Sequence, residues 1–359
     1  MFTKGCVIFF TLTPFMHGME KQNKKEEIST KESPFKLLAK CKQKQGTSVI
    51  HCTKEYIFSG FPNGEINVVD INTFETTTTF KAHEKAVTSI SSIDDTYIVS
   101  GSEDGTINVW DKNFKKIATL KNTSFFGVAS AITALCCTST HYLISGSEDG
   151  TLGIWYIFDR NPKKWFRLRA LKWFVCEDTI QSINKIEQKA IRSISYTGTG
   201  YIVFSCDDET IRILNVSNEN SKKWSWEKIF ACKSTINSIF CLRDKFIVSC
   251  QYDPKGKINI FGIASNSDYW KQITKFNPKK DYNEVLSGSC QDKTMALGTK
   301  CGDVEVWDVS CNYSPQENWM CTQSLDHGAP VTFVFCTQNN ILSFSNDGTI
   351  KRWGIQQEK

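Results

Sequence analysis

Short apolar runs recur along the chain, each followed by a polar turn and then by a stretch of alternating apolar and polar residues. Tyr97-Ile98-Val99 leads into Ser-Gly-Ser-Glu-Asp-Gly-Thr at 100–106, and Thr106-Ile107-Asn108-Val109-Trp110 follows. Tyr142-Leu143-Ile144 leads into the same seven residues at 145–151, and Thr151-Leu152-Gly153-Ile154-Trp155 follows. Alternation with period two marks a half-buried strand. Asp-Gly between two such runs marks a tight hairpin turn, because Gly takes positive φ at no steric cost. Each copy predicts two antiparallel strands.

Fainter copies extend the pattern to seven hairpins: 57–69, 97–110, 142–155, 202–214, 247–261, 295–307 and 341–353. Upstream of each lies a short apolar strand anchored at Thr47, Val87, Ile132, Ile191, Ile236, Val285 or Val331. Downstream of six lies an aromatic followed six residues later by an apolar residue: Phe74/Phe80, Phe114/Leu120, Trp165/Leu171, Trp224/Phe230, Trp270/Phe276 and Trp319/Leu325. The seventh such pair, Phe35/Cys41, precedes the first hairpin. Pro34–Cys41 is therefore predicted to supply the outer strand of the last sheet, removing the exposed edges that an open ring would leave.

This periodic pattern resembles the WD-repeat β-propeller family, whose four-stranded blades take roughly forty to forty-five residues each. The resemblance covers about residues 35–355. It implies an all-β, seven-bladed propeller of antiparallel blades, closed by the N-terminal strand. It also implies a pinning set in each blade: a loop His, a strand Ser, a turn Asp and a Trp. Two blades carry the full set, His83/Ser100/Asp104/Trp110 and His327/Ser343/Asp347/Trp353. A third keeps Ser145, Asp149 and Trp155 without the His. The others depart from it, with Val69, Leu214, Phe261 and Cys301 at Trp or Asp positions.

At 359 residues and 40% hydrophobic, the chain buries a large core, and one seven-bladed ring accounts for its length. The net charge of +5 is spread along it and forms no basic stripe of the kind that nucleic-acid binding calls for. Fifteen cysteines suggest a disulfide framework, but five of them (Cys52, Cys137, Cys241, Cys290, Cys336) share one column on the first strands. Equivalent positions of neighbouring blades are expected to lie too far apart for a disulfide, so these read as small buried thiols. No Cys-x-x-Cys or cysteine–histidine zinc spacing occurs, and no metal or cofactor is implied.

Met1–Lys4 carries one lysine, Gly5–Met16 is apolar, and the next stretch to Pro34 is charged. That is the outline of a secretory signal peptide at 1–18, too short to span a bilayer, followed by a flexible tether at 19–34. The expected organisation is leader, tether, propeller at 35–355 and a tail at 356–359. With the leader removed the protein is secreted; otherwise it is cytoplasmic.

Catalytic signatures are missing: there is no Gly-x-Ser-x-Gly, no phosphate-binding loop and no His-Glu-x-x-His. The basic, aromatic segment 160–174 suggests a polyanion surface for nucleic acid or acidic lipid, yet Trp165 and Leu171 fall in the ordinary outer-strand column. Function is sought instead where the repeat is broken. The connections from Leu120 to Ile132 and from Leu171 to Ile191 are long and carry Phe125, Phe126, Trp173 and Phe174. Neighbouring hairpin turns add Glu103, Glu148 and Asp207. Long loops on a rigid scaffold, with aromatics and one sign of charge, suit recognition of a protein or peptide. The expectation is a monomeric, non-enzymatic interaction scaffold, with a polyanion binder and a channel-site enzyme as alternatives.

Overall fold

Among the described residues, twenty-eight strands pair into seven four-stranded antiparallel sheets. The computed structural model describes residues 35–93, 96–121, 129–138, 142–157, 166–171, 189–218, 223–242, 246–251, 257–263, 270–276, 284–310 and 319–355. Blades 1 to 6 span 49–81, 87–121, 132–171, 191–231, 236–276 and 285–326, each running from inner to outer strand in chain order. Blade 7 joins three C-terminal strands within 331–355 to the N-terminal strand Phe35–Lys42. Phe35 lies opposite Ile355 and Lys42 opposite Thr349, so the two ends of the chain close the ring in one sheet.

Why these residues form these sheets is visible in their burial. The second and third strands of a blade are covered on both faces, as in Tyr142–Ser147, whereas an outer strand such as Thr76–Lys81 alternates between half-buried and exposed. Both faces of an inner strand meet neighbouring blades, which accounts for its near-continuous apolar run. The core is accordingly divided among the seven interfaces between blades. Ile144 and Ile154 pack with Ile194 and Phe204 between blades 3 and 4, and Ile50 and Ile57 pack with Leu342 and Phe344 where blade 1 meets blade 7.

The glycine of Ser-Gly-Ser is dictated by this packing. A Cβ at Gly101 would lie 2.5 Å from Ile132 Cγ2, and one at Gly146 would lie 2.5 Å from Ile191 Cγ2 of the following blade. The turn glycines Gly105 and Gly150 have φ of 79° and 76°; blade 4 places Glu209 there at 62°. In blade 6 the inner strand carries Gly288 where its neighbours have Ile239 and Val334, because Phe240 of blade 5 fills that space.

The ring corrects one expectation about the cysteines. Inner strands converge near the axis, so neighbouring members of the column do approach one another: Cys290 Sγ lies 3.1 Å from the carbonyl oxygen of Cys241. Their sulfurs nevertheless point the same way round the ring. Cys241 Sγ meets Ser195 Oγ of blade 4 at 3.2 Å, and Cys336 Sγ lies 3.5 Å from the Ser289 carbonyl of blade 6. Among the described residues all cysteines are free thiols, and burial pushes those of Cys250 and Cys336 up to about 12.

Candidate functional site

Polar side chains buried inside the blades hold the hairpin turns on one face of the ring. In blade 2, Trp110 Nε1–H donates to Ser100 Oγ (2.9 Å), and Ser100 Oγ lies 2.8 Å from His83 Nε2. On the other side of the ring, His83 Nδ1 lies 3.1 Å from Asp104 Oδ2. Burial lowers the His83 pKa against the pull of Asp104, so the imidazole is neutral at pH 7. The contact is thus a hydrogen bond in which Nδ1–H donates to the carboxylate, and Ser100 O–H donates to Nε2. Burial works against ionisation of Asp104 too, but hydrogen bonds from Thr106 and His83 outweigh it and keep its pKa low.

Blade 7 arranges the same residue types differently. Trp353 Nε1–H donates to Ser343 Oγ at 2.8 Å, and that oxygen lies 2.7 Å from His327 Nδ1. Asp347 is taken up by its own turn, accepting from Ser345 Oγ and from Thr349 N (2.8 Å) and Oγ1 (2.9 Å). Its link to His327 is electrostatic only. In blade 3, Trp155 Nε1–H donates to Ser145 Oγ (3.1 Å), while Asp149 accepts from Ser147 Oγ (2.5 Å) and Thr151 N (3.0 Å). Asp149 N donates to Ser130 Oγ at 3.2 Å.

Three substitutes escaped the reading of the sequence. Gln43 accepts from Ser59 Oγ at 2.9 Å in blade 1. It sits four residues before Thr47, as His83 and His327 sit four before Val87 and Val331, so the register held the signal. Arg212 of blade 4 donates Nε–H to Thr210 Oγ1 (3.0 Å) and pairs with Asp208. In blade 6, where Leu297 stands opposite Glu305, Trp307 Nε1–H donates to Glu305 Oε2 at 3.1 Å. Arg212 and Glu305 share the column of Asn108, where a polar residue on an inner strand looks like noise until the neighbouring turn is placed.

These pins present one face of the ring. The turn residues Glu103, Glu148 and Asp207 are structurally equivalent: each donates its backbone N–H to the carbonyl of the residue just before the inner strand of its own blade, Ala86 (3.1 Å), Ala131 (3.0 Å) and Ala190 (3.0 Å). Glu103 and Glu148 are exposed. Asp207 is already engaged, since Arg192 at the head of blade 4's inner strand grips both its carboxylate oxygens. That hydrogen bonding raises the Arg192 pKa against the cost of burial, and the charges of Asp207 and Glu148 add to it. Arg192 also borders a cavity of about 450 Å³ at the channel mouth, lined by Ser193, Asn237, Ser287, Thr332 and Phe333 among others.

Other sequence candidates separate at this point. Phe125, Phe126, Trp173 and Phe174 lie outside the described residues, as do 1–34 and 356–359. Within 160–174, Phe166–Leu171 is the outer strand of blade 3, with Arg167 opposite Trp155 and Arg169 opposite Ile154. Among the described residues, no cluster of three His, Cys, Asp or Glu is placed to hold a metal, and no helix is long and apolar enough to cross a membrane.

Comparison with known proteins follows this geometry. The profile of the family described as WD domain, G-beta repeat, matches residues 74–111 and 116–156. Each matched unit starts at the outer edge of one blade and ends on the third strand of the next, the offset that ring closure requires. No curated protein sequence matches the chain. Among solved structures, the chain is similar to the β-propeller domain of Cps50 (Swd1) from Myceliophteria thermophila, with TM-score 0.67 and 13% identity over 90% of this chain and 100% of that one. It is also similar to the computationally designed protein Ika8, with TM-score 0.59 and 19% identity over 88% of this chain and 98% of that one. At these identities the likeness is one of fold.

Proposed function

We propose, from the premise that this chain belongs to the WD-repeat β-propeller family, that it is a non-enzymatic platform holding a protein or peptide on its channel-mouth face over blades 2–4. The propeller fold is consistent with a protein-interaction scaffold. One observation carries the finer reading: three successive blades place an acidic residue at the same turn position, and Glu103 and Glu148 remain exposed there. The turns are fixed by buried hydrogen bonds, so the carboxylates are preorganised and their immobilisation costs a partner little. A basic segment is the complementary partner, because opposite charge steers encounter and like charge at the rim suppresses wrong partners.

Capture experiments with the wild type beside a Glu103→Lys/Glu148→Lys variant and a Phe125/Phe126/Trp173/Phe174→Ala variant test this. Partners lost from both variants, and lost from the wild type at high salt, support the assignment. A partner set identical across all three proteins refutes it. For residues 1–18 we hold to a secretory leader followed by a tether to 34. An intact mass of the secreted chain that includes Met1–Gly18 overturns that assignment.

A further inference from the structure

The outer edge of the closing blade combines exposed aliphatic side chains with a run of lysines. Among the described residues, five large hydrophobic side chains are exposed: Leu37 (47%), Leu38 (45%), Ile229, Met320 (66%) and Ile355 (40%). All but Ile229 lie on the third and outer strands of blade 7 or on the outer strand of blade 6. Leu38 is the unpaired residue of an irregularity between Leu37 and Ala39 in the closing strand, and Ile355 stands opposite Phe35. Met320 begins the outer strand of blade 6, whose Gln323 exchanges two 2.8 Å hydrogen bonds with the Phe35 backbone. The second feature is charge. Residues 35–44 carry four lysines and no acid. Lys36, Lys40 and Lys42 are exposed, and Lys40 lies directly opposite Lys351, a like-charged pairing that weakens the sheet.

Lysines on an outer strand guard an edge against pairing, but a guarded edge has no need of aliphatic side chains in water. A protein partner is the poorer occupant as well, since interface cores are depleted in lysine and built on Trp, Tyr and Arg. Aliphatic side chains ringed by lysines on a convex edge instead match the two parts of an anionic bilayer surface, acyl chains beneath and negative headgroups around. We propose that the edge formed by Leu37, Leu38, Ile355 and Met320 with Lys36, Lys40 and Lys42 docks on an anionic lipid surface. In that pose the ring stands on the rim of blade 7, and the channel-mouth face over blades 2–4 stays open to a protein.

Sedimentation of the full chain with vesicles of phosphatidylcholine alone, or with about a third phosphatidylserine, tests this. Binding is expected only to the anionic vesicles, weakening with salt, and falling about fivefold for each lysine replaced by a neutral residue. Lys40→Glu/Lys42→Glu, at exposed positions, is expected to lose more than that. Leu37→Ser/Met320→Ser is expected to weaken binding without changing its salt dependence. Glu103→Lys/Glu148→Lys must leave the loss pattern intact, which separates this proposal from the protein-binding face. Equal binding to neutral vesicles, or no binding at all, overturns the proposal. So does loss of binding in Phe9→Asp/Phe10→Asp alongside full binding in Lys40→Glu/Lys42→Glu, because the N-terminal apolar stretch is then the anchor.

Discussion

Ser100 and Ser249 sit at equivalent positions of blades 2 and 5, opposite Asn108 and Asn259, and both are completely buried. Replacing each by alanine removes the same atom from the same burial, yet the two changes should have opposite outcomes. Ser100 Oγ accepts from Trp110 Nε1 at 2.9 Å and meets His83 Nε2 at 2.8 Å. Its removal strands an indole N–H and an imidazole nitrogen, and each buried unpaired group costs about 1–3 kcal/mol, so Ser100→Ala should destabilise by about 2–4 kcal/mol. Ser249 Oγ has no partner, and Phe261 occupies the Trp position of its blade. Ser249→Ala then deletes an uncompensated hydroxyl and should be neutral or stabilising by up to about 1 kcal/mol. Thermal unfolding of both variants beside the wild type reads the difference, at about 2–4 °C per kcal/mol or somewhat less for a domain of this size. Adding Trp110→Phe to Ser100→Ala should recover about 1 kcal/mol, since one stranded donor goes with it. Equal losses from Ser100→Ala and Ser249→Ala would refute the view that partnering, and not burial, sets the value of these hydroxyls.

Other consequences are equally direct. Gly288→Val should destabilise by about 1–3 kcal/mol through its clash with Phe240, where even a Cβ would lie 2.2 Å from Cε1; combining it with Phe240→Ala should return part of the loss, and additive losses in unfolding would count against the swap of volume. Gln323→Ala removes both bonds to the Phe35 backbone and should cost about 1–2 kcal/mol, with faster hydrogen exchange confined to 35–42; uniform acceleration would show that the closing strand is not held there. Burial, reinforced by Lys351, lowers the His327 pKa to about 4. The unfolded chain therefore binds the extra proton between pH about 6.5 and 4, and stability should fall as pH falls through that window. Asp347, held near 2 by Ser345 and Thr349 despite the cost of burial, contributes its loss only below that window. His327→Gln should flatten the slope, and an unchanged slope would assign it to other groups.

The extent of what was legible differs between the framework and the site. The period of the hairpins, the seven blades and the closing role of Phe35–Cys41 all followed from local signals, because strand alternation and Asp-Gly turns act over a few residues. The structure places that strand at Phe35–Lys42, with Pro34 outside the described residues. Ser-Gly-Ser was readable as a motif, but the reason for its glycine was not, since Ile132 and Ile191 approach Gly101 and Gly146 from the following blade. Asp207 illustrates the limit at the site. It looked like one more exposed acid, while pairing of the first two strands of blade 4, with Ile191 opposite Cys206, brings Arg192 from fifteen residues upstream onto its carboxylate.

By itself, then, the sequence determined the repeat and the strand count, for these depend on contacts between near neighbours in the chain. It also showed how the ring closes, because the one outer-strand pair missing after the last hairpin, Phe35/Cys41, stands before the first. The tertiary structure decided what the repeat cannot encode: which buried hydroxyls have partners, where Gln43, Arg212 and Glu305 take over from the pinning set, and which way the sulfurs of the cysteine column point. It also decided that Leu37, Met320 and Ile355, far apart in sequence, share one exposed edge. The hydroxyls and the substitutes depend on how side chains from different strands and turns of a blade are aimed at one another, and the sulfurs and the exposed side chains depend on how blades meet. Adjacent blades meet through residues about forty to sixty positions apart, or at opposite ends of the chain, and no local pattern specifies a contact across that distance.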